Sequence, residues 1–240
     1  MKRTVLLFII VAGALLYSCE GLFNCIDGNG ELVVEKRAVA EFTSINNSSQ
    51  FDVTVTYDLV TSLRVQSDKN LQKYIQTYVE SGELIIEPDN NRCLAPNNRI
   101  LIDIRCPYIN KVVLSGTSDL ELEGFEVDNF DISLSGSGNI DVSRLIVDKR
   151  LQITNSGFGN VEIHGKASDA DYILSGSGDI DGEVMKTLNC NIVHSGSGNI
   201  WTYVQEELEV LLSGLGNVYY YGDPEQVTER ITGAGRIIKK

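Results

Sequence analysis

Long basic runs are missing from this chain, and with them the commonest route to nucleic acid or to an anionic lipid surface. Its 240 residues carry 20 Lys and Arg against 33 Asp and Glu, a formal net charge of −13, and no long basic run follows Lys2 and Arg3. Paired C-x-x-C spacings are absent, so the five cysteines do not form a zinc site. No G-x-S-x-G elbow is present either, which removes the usual setting of a serine nucleophile despite the many serines. Histidines number two, and a leucine-rich repeat with helical returns finds no consensus here. Long apolar stretches are confined to Val5–Leu16, too short for a membrane-spanning helix.

That apolar run follows Lys2 and Arg3 and ends in L-Y-S-C, the layout of an export signal. Leu16, Ser18 and Cys19 match the lipobox of bacterial lipoproteins. Residues 1–18 are then a signal peptide, and Cys19 becomes the acylated first residue of the mature chain, held to a membrane by its acyl tails. The simpler reading is an ordinary secretory signal. Residues 19–30 read as an unpatterned tether, and residues 31–240 as one β domain, with leading and capping strands over 31–110 and repeat coils over 111–240. Export permits disulfides. Cys93 and Cys106 flank one loop and form the best candidate pair, leaving Cys25 and Cys190.

One short motif recurs seven times: LSGTSDL, LSGSGNI, NSGFGNV, LSGSGDI, HSGSGNI, LSGLGNV and ITGAGRI. Their first glycines are Gly116, Gly136, Gly157, Gly176, Gly196, Gly214 and Gly233, at spacings of 20, 21, 19, 20, 18 and 19 residues. A period of this length signals a solenoid. Apolar residues alternate on both sides of each motif, as in Val112, Ile132 and Ile153 before it and Leu120, Ile140 and Val161 after it. The pattern predicts an all-β fold, a right-handed parallel β-helix of about 20-residue coils with an N-terminal β capping region. The glycines are expected to permit positive φ at each corner, and Ser118, in the place of a second glycine, to loosen the first one. A serine column and an Asn/Asp column are expected to hydrogen-bond along the solenoid or to the corner backbone.

The S-G-x-G-[ND]-[IV] repeats behind a lipobox, with FDVTVTYDLVTSLRVQSDKNLQKYIQTYVESGELIIEP and ILIDIRCPYINKVVLSG before them, resemble the "putative auto-transporter adhesin, head GIN domain" family of Bacteroidetes-type bacteria. The resemblance spans roughly residues 31–240. It implies a β-helical fold and a periplasmic or surface-exposed outer-membrane lipoprotein. It brings no catalytic residues and no cofactor.

Several residues merit tests as sites. Glu121, Asp141, Glu162 and Asp181 stand one per coil on an outward position, a solvated acidic row or a weak cation site rather than a catalytic pair, which would need two unlike environments. Farther on, Trp201 and Tyr219 take over that column, with Tyr203 and Tyr221 two positions on. These four rings are a candidate binding platform for glycans or surface proteins, or else a stabilising ladder. His194 reads as buried and His164 as outward, without a metal, and Cys190 as a small buried hydrophobe. The expected role is adhesive and non-catalytic, with the membrane as partner through the lipid anchor. The alternative is a polysaccharide-active β-helix enzyme.

Overall fold

A computed structural model describes residues 25–240; the signal, Cys19 and the residues up to Asn24 lie outside the described residues. The leading region contains β1 (Ile26–Asp27), β2 (Leu32–Arg37), β3 (Ser44–Asn47), β4 (Asp52–Tyr57), β5 (Ser62–Asp68), β6 (Ile75–Glu80), β7 (Glu83–Pro88), β8 (Leu94–Ala95) and β9 (Leu101–Cys106). The repeats form β10 (Lys111–Leu114), β11 (Leu120–Glu123), β12 (Glu126–Leu134), β13 (Ile140–Asn155), β14 (Val161–Leu174), β15 (Ile180–His194), β16 (Ile200–Leu212), β17 (Val218–Tyr221), β18 (Gln226–Ile231) and β19 (Ile237–Lys239).

Strand pairing among the repeats is parallel throughout, and each coil has three sides. In β13 the first side is 140–142, the second 145–147 and the third 150–155, each bonded to its counterpart one coil on, with register shifts where the chain bends. The alternation seen in the sequence decides which side chains enter the core. Val53, Leu120, Ile140, Val161, Ile180, Ile200 and Val218 stack in one buried column. Ile45, Val112, Ile132, Ile153, Tyr172, Ile192 and Val210 stack in another. The fold is therefore a parallel β-solenoid.

The solenoid begins earlier than the repeats do. β3 and β4 pair in parallel with β10 and β11, so they form a coil of their own, with β7 and β9 as a further layer beneath them. Among the described residues, only β2, β5 and β6 run antiparallel to their neighbours, and they close that end. The opposite end is less covered: β18 is exposed along its whole length, and Glu229 takes the position that Val210 and Ile192 fill below it.

The corners are built differently from the expectation. None of the seven first glycines, nor any of the second ones, has φ in the left-handed region. What excludes a side chain is the neighbouring coil: a Cβ on Gly178 would stand 1.8 Å from the Gly159 carbonyl oxygen, and one on Gly136 1.9 Å from that of Gly116. The Gly159 carbonyl is held by Asn155 Nδ2 of its own coil at 2.9 Å, whereas the carbonyls of the first glycines bond the next corner. The Gly116 carbonyl accepts from Ser137 N–H at 3.1 Å, and the Gly157 carbonyl from Ser177 N–H at 2.9 Å. Ser118 does not loosen its corner. It is buried, and its hydroxyl accepts from Asn47 Nδ2 at 2.8 Å.

Two further corrections concern the start of the domain. The disulfide joins Cys25 to Cys93, and Cys106 is a free, buried thiol whose pKa burial pushes up to about 11. Cys93 and Cys106 stay apart because β9 is extended, at about 3.3 Å per residue, and carries Cys106 to its far end. Residues 25–30 are no free tether: β1 pairs with β8. Gly30 N–H also donates to the buried carboxylate of Asp68 at 2.9 Å. Burial pushes that carboxyl up, but bonds from Asn98, Asn97 and Gly30 together outweigh it and hold the pKa low.

Candidate functional site

The first side of the solenoid carries the candidate site, and register places it as the spacing predicts. Thr54, Glu121, Asp141, Glu162 and Asp181 follow one another coil by coil, and then Trp201 and Tyr219 continue the same column. Period-two strands turn these residues outward while Leu120, Ile140 and their counterparts turn in. Glu121, Asp141 and Glu162 are exposed. They do not converge: among the described residues, no three His, Cys, Asp or Glu side chains meet in an arrangement able to hold a metal ion. Glu162 instead contacts His164 Nε2 at 3.0 Å, and Arg144 reaches Glu123 beside them. The open groove there, about 290 Å³, is lined by Thr54, Glu121, Glu123, Asp141, Ser143 and His164.

Above the acids, the four rings are half-buried. Trp201 and Tyr219 stack on each other, centroids 5.3 Å apart and planes 16° from parallel. Lys240 Nζ lies over the Tyr219 ring at 5.0 Å. One face of Trp201 is thus taken by Tyr219, and Tyr219 is met by both Trp201 and Lys240. Tyr203 and Tyr221 are register partners in the next outward column. Lys186 Nζ lies 5.8 Å from the Tyr203 centroid, and burial together with the Glu183 carboxylate raises the Tyr221 phenol pKa. Tyr220 turns inward and packs against the core. β18 does not cover the rings, since it pairs with the third side of β16, while Gly222 stands against the edge of the Tyr203 ring.

Sequence spacing missed Lys186, Glu183 and Lys240. Lys186 meets Tyr203 only through the register shift between Gly182 and Lys186, which no fixed phase predicts. Glu183 lies in the same bend, and Lys240 follows the last strand, where the repeat has ended.

Inside the solenoid, His194 is fully buried in the column of Leu174 and Leu212. Its Nδ1 accepts the Gly196 N–H at 3.2 Å, so that nitrogen is unprotonated. Asn155 and Asn47 do the same on their own coils, taking the N–H groups of Gly157 at 3.1 Å and Ser49 at 3.0 Å. Burial pushes the His194 pKa down, with the Gly198 and Leu174 backbone pulling the other way. Cys190 is buried beside Thr202, and burial pushes its thiol up to about 12, far from a nucleophile.

The Asn/Asp column forms a continuous ladder. Asp119 Oδ1 accepts Asn139 N–H at 2.9 Å, Asn139 Oδ1 accepts Asn160 N–H at 3.0 Å, and Asn160 Oδ1 accepts Asp179 N–H at 2.9 Å. Asp179, Asn199 and Asn217 carry it on to Arg236 N–H. Only an acceptor oxygen is needed, which is why Asp and Asn alternate freely there.

Comparison with known proteins agrees with this architecture. The family described as "Putative auto-transporter adhesin, head GIN domain" matches residues 41–224. A solved "putative adhesin" from Bacteroides fragilis is 25% identical, covers 90% of this chain and 100% of its own, and superposes with a TM-score of 0.86. A "Putative lipid binding protein" from Parabacteroides distasonis is also 25% identical, with the same coverage and a TM-score of 0.71. A "putative adhesin" from that organism, 22% identical with a TM-score of 0.67, shares the fold. None of the curated proteins matches the chain.

Proposed function

The chain belongs to the "Putative auto-transporter adhesin, head GIN domain" family, and from that premise we propose that it is a non-catalytic adhesive protein of the cell envelope, anchored through lipid at Cys19. The observation that carries this reading is the first side of the solenoid, a continuous outward column that passes from carboxylates to stacked aromatics without an enclosing cleft. A glycosidase or lyase needs unlike acids converging on one bond or a cation beside them. The row from Glu121 to Asp181 supplies neither. The disulfide between Cys25 and Cys93 suits an exported chain. The upper end of the column, at Trp201, Tyr203, Tyr219 and Tyr221, is the contact surface, meeting glycans or surface proteins through ring edges, hydroxyls and the flanking charges.

Attachment of the purified chain to glycan arrays and cell surfaces tests this. Trp201→Ala with Tyr219→Ala should lower attachment about tenfold while the domain stays folded, with a stability loss near 1 kcal/mol from the broken stack. Unchanged attachment would remove the site. Turnover of a polysaccharide would overturn the non-catalytic reading. Cys19→Ala should move the protein from the membrane to the soluble fraction, and continued membrane retention would reject the anchor.

A further inference from the structure

The corner edge of the solenoid differs from the sides it joins. From Ser115-Gly-Thr-Ser to Thr232-Gly-Ala-Gly, no corner tetrad contains a charged residue, although the chain as a whole carries −13. Two large apolar side chains stand on this edge, Phe158 at 75% exposure and Leu215 at 69%. Both occupy the position between two glycines, three coils apart, which is about 14 Å along the axis at the spacing of paired strands. They project from one edge and can enter one surface together.

The start of the domain is fastened at the foot of the same edge. Cys25 is bonded to Cys93, and Ile26 N–H donates to the Cys93 carbonyl at 2.9 Å. The next carbonyl, of Leu94, accepts from Gln50 Nε2 at 2.8 Å. Gln50 belongs to the corner between β3 and β4, directly beneath the one at Gly116, for Thr117 N–H donates to the Ser49 carbonyl. Six residue steps separate Cys19 from Cys25, about 20 Å when fully extended.

We propose that the corner edge is the side this protein lays against the bilayer, with Phe158 and Leu215 entering the interfacial region of an uncharged lipid surface. The proximity rests on the lipid-anchor reading; the contact itself rests on the edge. The flanking sides carry carboxylates, with Glu121 and Asp141 stacked on the first and Asp169 and Asp171 on one strand of the third, which resist transfer from water. The same negative charge disfavours a second copy of the chain as the occupant.

The full acylated chain in phosphatidylcholine vesicles gives the first test. A fluorophore at Ser197→Cys, on the edge between the two apolar side chains, should be quenched by a bilayer-resident quencher, and one at Lys166→Cys, on the opposite second side, should not. Phe158→Ser with Leu215→Ser should abolish the difference while the anchor keeps the protein on the vesicle. Equal quenching at both positions in the unmodified edge would overturn the proposal. The second test needs no acyl chain, so its outcome stands whether or not Cys19 carries lipid. The Cys19→Ala chain should bind the same vesicles weakly, and the double serine variant should lower its partition coefficient about tenfold or more. Equal partition of the two, or protection of the edge only when another protein is added, would show that lipid is not its occupant.

Discussion

A methyl group at residue 178 and a methyl group at residue 82 are opposed by different physics. Gly82 has φ of +81° and open space for 4 Å around the place of a Cβ, whereas Gly178 needs no unusual φ but would press its Cβ to 1.8 Å from a backbone oxygen. Gly82→Ala should cost about 1 kcal/mol, the ordinary penalty of the left-handed region. Gly178→Ala should cost about 3 kcal/mol or more, because two coils must separate. Denaturant titration of the two variants checks the order. His194 gives a second expectation at this scale. Its folded pKa lies below the ordinary 6.5 because the ring is buried, so between those two values the unfolded chain holds a proton that the folded one lacks. Stability is therefore complete above pH 6.5 and falls as the pH drops toward the depressed folded value, no more steeply than about 1.4 kcal/mol per pH unit. His194→Leu, which restores the residue of the adjoining coils, should remove that component from a stability profile measured between about pH 7.5 and 5.

Among the structural elements, the Asn/Asp ladder is the one whose removal is easiest to read. Asn160→Ala would leave the Asp179 N–H without its acceptor and should cost about 1–2 kcal/mol, and Asn160→Asp, which keeps the oxygen, should cost less. Thermal unfolding of both variants distinguishes the lost bond from a mere change of charge. The columns are legible in the sequence because each pair of glycines resets the phase, so that Ile132, Ile153 and Tyr172 can be aligned by counting. The coil of β3 and β4 is not legible, since its corner has no glycine: Asn47, Ser49 and Phe51 turn the chain through side-chain bonds instead. The ring column from Trp201 to Tyr219 can be counted out in the same way. That the two rings lie stacked on each other cannot, because phase gives the side of a strand and not the tilt of a ring.

At the scale of the whole molecule, the bond from Cys25 to Cys93 closes a loop of 68 residues in sequence separation around the capping strands. Cys93→Ser should lower stability by about 2–4 kcal/mol and open residues 25–31 to protease, while Asp68 and β9 keep the cap in place. Limited proteolysis followed by mass spectrometry would locate the cut. Sequence proximity points to Cys106 as the partner, and the length of β9 is what forbids it. Above the cap, Asn155 and Leu174 are partners in register, and the corner after each is bonded to its neighbours in the same way. The stretch Ser156–Leu174 is therefore a cassette. Excising it joins Asn155 to Ser175 and presents the corner with an equivalent set of partners, so the height of the molecule can change by whole coils through duplication or loss while both ends stay as they are.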